Sequence, residues 1–130
     1  KGVAIGVQQG TSQDFYVTKH YKDSVIKRYK SLEAAQNDLV NKRVEVVFAD
    51  GFTVTDGFLK KPAGAGFAQL GEDVTSAADK AILGDGTGFA VRKDDTELLA
   101  KLNQAFEAVR ASGKYKTIAD KYFEFDIYGQ

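Results

Sequence analysis

Residues 3–13 read VAIGVQQGTSQ, an apolar run that gives way at once to glutamine, glycine and two hydroxyl residues. Val3, Ile5 and Val7 alternate with Ala4 and Gly6, the pattern of a short strand buried on at least one face. Gly10 lets the backbone turn with no side chain in the way. Thr11 or Ser12 then caps a helix, with Asp14 in its first turn near the positive end of the dipole. Phe15, Val17 or Thr18, and Tyr21 are expected to supply that helix with a weak apolar stripe. Taken alone, the turn has two readings. It is a plain helix cap, or its free N–H groups and hydroxyls are a seat for a small anion.

Outward from this unit the pattern repeats. Val25 to Tyr29 is a second strand candidate, and Ser31 caps the helix LEAAQNDLVNKR at 32–43, with Leu32, Ala35, Leu39 and Val40 on one face. VEVVFAD at 44–50 is β-branched and almost continuously apolar, which predicts a central strand. Strand, helix, strand, helix, strand is the rhythm of an α/β domain with a largely parallel sheet. GFTVTDGFLKK at 51–61 reads as a helix or turn closed by Pro62, and Phe67 to Leu70 as a further short strand.

From Thr75 to Gly88 the chain is small and glycine-rich, ending in GDGTG at 84–88, the best candidate for a hinge or boundary. Gly88 to Val91 reads as a strand. Asp94, Asp95 or Thr96 caps an amphipathic helix whose stripe is Leu98, Leu99, Leu102, Ala105, Phe106 and Val109, with Gly113 as its stop. Tyr115, Ile118, Ala119, Tyr122 and Phe123 are expected on the inner face of a last short helix.

The 130 residues suffice for one modest domain, and 43% hydrophobic with 28% charged residues is ordinary for a soluble globular protein. Lys plus Arg equals Asp plus Glu at 18 each, so the attraction to phosphate that nucleic-acid binding needs is missing. No cysteine is present, which excludes disulfides, thiolate nucleophiles and cysteine-held zinc. No metal or cofactor is expected. The chain starts on Lys1 with a strand following almost directly, as if processed or excerpted from something longer.

In parallel α/β sheets, ligands bind outside the carboxyl ends of the strands. Two polar clusters fall at such ends: Gln8, Gly10, Thr11, Ser12 and Gln13 after the first strand, and Asp50 after VVFA. Asp50 is either a helix cap or a partner for an ammonium group. Together, a carboxylate seat and an ammonium seat on one sheet edge match a zwitterionic α-amino acid. His20, the only histidine, lies in TKHYK and reads as a surface residue.

Four stretches then follow one another in order: KGVAIGVQQGTSQ (1–13), VEVVFAD (44–50), FLKKPAGAGF (58–67) and GDGTGFAVRKDDTELLAKLNQAFEAVRASGKYKTIADKYFEFDIYG (84–129). In these the chain resembles the periplasmic solute-binding proteins of polar amino-acid ABC importers, above all the lysine/arginine/ornithine-, histidine- and arginine-binding receptors. The resemblance implies a type II periplasmic-binding-protein fold of two α/β lobes that close like a hinge. It makes residues 1–80 the second, ligand-closing lobe, 81–87 a crossing strand, and 88–130 the C-terminal strand and helices of the first lobe. Most of that first lobe would precede Lys1.

Residue by residue, the resemblance gives Thr11 and Ser12 the ligand carboxylate, Gln13 a place in the pocket lining, and Asp50 the α-ammonium. Gln8 stands where relatives often carry an apolar residue. Arg92 matches a C-terminal stretch and not the family's carboxylate-binding arginine. The implied partners are a free polar or basic amino acid and a membrane permease, in the periplasm or anchored at a Gram-positive cell surface. An apolar helix face in 88–130 left without its sheet would pack on its own lobe or be covered by a second copy in a homodimer or by a complementing chain. Two alternatives share the scaffold. One is a lyase acting on small carboxylates, with Asp50, Glu45 or His20 as its acid or base. The other is the ligand-sensing domain of a receptor.

Overall fold

A computed structural model describes residues 2–86 and 88–123. Thr87 of the expected crossing strand and residues 124–130, the end of the longest resembling stretch, lie outside the described residues. The chain divides into two compact units, Lys1–Thr87 and Gly88–Gln130.

The first unit carries strands β1 (Ala4–Gln8), β2 (Val25–Tyr29) and β3 (Val46–Val47), and helices α1 (Ser12–His20) and α2 (Leu32–Val40). All pairs are parallel and the order is β2-β1-β3. The chain moves from β1 to one neighbour through α1, then returns past β1 to the other neighbour through α2. Right-handed crossovers in opposite directions put the two helices on opposite faces of the sheet. The contacts agree. Ile5 and Val7 of β1 pack with Tyr16 and Val17 of α1. On the other face, a Cβ at Gly6 would lie 3.5 Å from Ala35 of α2 and 3.4 Å from Val44.

Each helix starts as its residues dictate. The Thr11 hydroxyl accepts the Asp14 N–H at 3.3 Å, and the Ser31 hydroxyl accepts the Ala34 N–H at 3.2 Å. Asp38 of α2 accepts from the Tyr29 hydroxyl at 2.8 Å and from Arg43 at 3.0 Å, tying α2 to β2. Those two bonds hold the Asp38 carboxyl below its ordinary pKa, while burial and the Asp38 bond raise the Tyr29 phenol.

After β3, helix α3 (Gly51–Val54) runs into a π-helical turn (Thr55–Leu59) and a 3₁₀ turn (Pro62–Gly64). Phe58 and Phe67 close this excursion with ring centroids 5.5 Å apart. Helix α4 (Lys80–Leu83) then packs on α1, and Ile82 and Leu83 join the core. Just before it, Asp79 accepts from Lys19 at 2.6 Å and from His20 at 2.8 Å.

The second unit holds α5 (Thr96–Ala111), capped by Asp95 through the Leu98 N–H, and α6 (Lys114–Ala119). Gly113, at φ +74°, makes the left-handed stop between them. Phe106 and Tyr115 meet edge to face, 5.5 Å between centroids.

Four expectations are corrected. VEVVFAD is not the central strand; among the described residues β3 has one neighbour and β1 has two. Continuous apolarity reports that both faces of a strand are covered and says nothing of how many strands flank it. Phe67–Leu70 and Gly88–Val91 form no strand. A strand exists only through its ladder, and no described neighbour offers them one. The inner line of α1 is Tyr16 and Val17 with Asp14, whereas Phe15 is 58% exposed and Tyr21 42%. A buried carboxylate on the inner line hid that face from an apolar count.

Candidate functional site

β1 and β3 lie side by side and the strand order reverses between them, so their carboxyl ends border a crevice. Gln8 ends β1, and Thr11 and Gln13 open the next turn. Asp50 follows β3 by three residues. The structure brings these four around one depression of about 110 Å³, together with Leu32, Phe48, Ala49 and Thr53. That is well below the ~300–1,000 Å³ of an enclosing small-molecule pocket, so this surface can seat part of a ligand and not surround it.

Asp50 caps α3: its Oδ1 accepts the Thr53 N–H and the Thr53 hydroxyl, both at 2.8 Å. Its Oδ2 accepts no bond among the described residues, and the side chain is exposed. The cap therefore leaves one carboxylate oxygen for a cation such as an ammonium group.

Across the depression, the Thr11 hydroxyl is already engaged. It donates to the Gln8 carbonyl at 2.8 Å and accepts from the Asp14 N–H. Ser12 donates to Gln13 Oε1 at 3.2 Å and does not line the depression. What remains for an anion are the backbone N–H groups of Thr11, Ser12 and Gln13, which have no acceptor among the described residues and sit at the positive end of α1. Gly10 turns at φ +76° and its N–H donates to Asp14 at 3.0 Å, so Gly10 shapes the seat without offering it a donor.

Leu32, Phe48, Ala49 and Thr53 were not among the site candidates read from the sequence. Thr53 had a local signal, three residues past an Asp that can cap. Leu32 had a topological one, since it follows β2 as Thr11 follows β1. The other acid–base candidates lie elsewhere. Glu45 accepts the Ala4 N–H at 2.6 Å, at the amino end of the sheet. His20 is at the far end of α1 from Thr11, stacked on Tyr16 with ring centroids 4.4 Å apart.

Residues 4–125 match the model of the bacterial extracellular solute-binding proteins, family 3. The chain belongs to that family. Members similar to it include the L-arginine-binding protein of Pseudomonas aeruginosa, 45% identical over 99% of this chain and 49% of the relative. The histidine-binding periplasmic protein and the lysine/arginine/ornithine-binding periplasmic protein of Escherichia coli are 39% and 38% identical over the same shares. A solved periplasmic binding protein of Salmonella typhimurium, described for its high arginine specificity, superimposes with a TM-score of 0.71 at 32% identity, over 95% of this chain and 52% of that one. This family-3 chain thus spans about half the length of the curated relatives it matches. The family and the relatives named are solute-binding proteins and not enzymes, which does not favour the lyase alternative.

Proposed function

We propose that this chain carries the ligand-closing lobe of an amino-acid receptor serving an ABC importer, and that its depression takes the α-amino acid end of a polar L-amino acid, with a basic one favoured. One observation carries the reading: Asp50, with a carboxylate oxygen that accepts no bond among the described residues, and Thr11 and Gln13, whose N–H groups have no acceptor among them, line one depression at the carboxyl ends of adjacent parallel strands. A zwitterion presents the two complementary charges. In this reading residues 1–80 are the closing lobe, 81–87 the hinge between lobes, beginning within helix α4, and 88–130 part of the opposing lobe. Closure of the hinge supplies the rest of the enclosure and presents a surface to the permease. The names of the relatives favour arginine, lysine, ornithine or histidine as the solute. They also favour the periplasm over anchorage at a Gram-positive cell surface.

Calorimetric titration of the full-length protein with these four amino acids tests the reading. Binding of at least one is expected; heat-silent titrations with all four, and with the remaining common amino acids, would sink it.

The reading extends to assembly. Leu98 and Leu99 on α5 are 42% and 44% exposed, and Val109 is 37% exposed. In the isolated 130-residue chain a second copy or a complementing chain covers this apolar stripe. Sedimentation velocity should show a species heavier than the monomer, and a compact monomer at every concentration would count against it.

A further inference from the structure

Asp14 is the one buried charged residue among the described residues, 3% exposed. Its carboxylate accepts from the Gly10 N–H at 3.0 Å, from the Thr18 hydroxyl at 3.2 Å and from Arg28 Nε at 2.9 and 3.1 Å. Its own N–H goes to Thr11. Arg28 reaches it from the neighbouring strand, where Val7 and Arg28 are register partners, and its Nη2 also donates to Thr18 at 2.7 Å. A buried carboxylate thus sits directly under the Gly10–Gln13 turn, neutralised by one guanidinium.

We infer that Asp14 and Arg28 are positioning residues that set this turn for a ligand carboxylate, an inference that rests on the reading of the turn as a carboxylate seat. Asp14 does two things. It draws the Gly10 N–H inward, so that the chain reverses there and the next three amides are left without internal acceptors. It also places a negative charge beside the seat, which would repel an anionic ligand if it stood alone. Arg28 cancels that charge. Removing either partner has different consequences. Without Asp14 the turn loses a strut and Arg28 remains a partly exposed cation, which does not repel a carboxylate. Without Arg28 the turn keeps its strut and gains an uncompensated buried anion.

The test is a double-mutant cycle in the full-length protein. It is read as Kd for whichever of L-arginine, L-lysine, L-ornithine and L-histidine the unaltered protein binds most tightly. Measurements are made well below the Tm of every variant. Arg28→Gln is expected to raise Kd by roughly tenfold or more, Asp14→Asn by a few-fold, and the double variant to fall back toward Asp14→Asn, a strongly non-additive pair. Arg28→Lys, which keeps the charge but not the geometry, should stay within about threefold of the unaltered protein. A purely structural brace would lower Tm across the set and leave Kd unmoved, and that result, or simple additivity in Kd, overturns the inference. If Arg28→Gln does not fold, Asp14→Asn and Arg28→Lys still decide it: a Tm loss with constant Kd in both overturns it. Failure of the unaltered protein to bind any of these four or any other common amino acid overturns the seat itself, which separates the two outcomes.

Discussion

At the scale of single residues, one carboxylate can hold two jobs, and substitutions can separate them. Asp50 caps α3 through Oδ1 and leaves Oδ2 toward the depression. Asn is as good a cap as Asp. Asp50→Asn should therefore keep Tm nearly unchanged while amino-acid affinity drops by roughly 10–100-fold, the worth of a charge-assisted bond. Asp50→Ala should lose the affinity and about 1 kcal/mol of stability as well. Equal affinity in the Asn variant and the unaltered protein would remove Asp50 from the site. Thr11 illustrates what residue types alone leave open. A hydroxyl after a strand suggests a side-chain donor for an anion, yet its proton goes to the Gln8 carbonyl and its lone pair to Asp14. The N–H groups around it are what remain. That partition depends on rotamers, which no spacing rule reports.

At the scale of elements, local chemistry placed most starts and stops well. Thr11, Ser31 and Asp50 each accept an N–H three residues on, and β2 spans the same five residues its pattern suggested. The excursion from Gly51 to Phe67 is held instead by a close approach. A Cβ at Gly64 would run into the Phe58 carbonyl and stand 2.7 Å from Leu59 Cα, backbone atoms that cannot swing aside. Gly64→Ala should cost about 1–3 kcal/mol by overpacking, seen as a Tm drop of several degrees. Gly57 lies in the same excursion, where an added Cβ would meet nothing within 4 Å. Gly57→Ala should be neutral or slightly stabilising through the unfolded chain. Similar Tm losses for both would mean that the packing at Gly64 is not what holds the excursion. The two glycines look alike in the sequence because close approach is a property of segments that meet in space.

At the scale of the whole molecule, Asp79 ties the end of the first unit to α1. Its bonds from Lys19 and then His20 lower its pKa from near 3.8 to about 2. A depressed carboxylate favours the folded state while ionised, so its contribution is fully present above about pH 3.8 and is lost as pH falls toward 2. Acid titration followed by circular dichroism should show stability declining across that window, and Asp79→Asn should be less stable near neutrality with a flatter decline. An unchanged acid profile in that variant would show that the tie contributes nothing. The sequence by itself determined the α/β rhythm, the caps, the family and the two polar strand ends, because each is written in spacing over a few residues or in motifs carried whole. Only the tertiary structure decided that, among the described residues, β1 and not β3 is central, Asp14 lies buried against Arg28, and certain amides of the Thr11 turn stay unfilled. Those depend on strand order and on side chains from separate elements converging on the same few ångströms, which sequence distance does not encode.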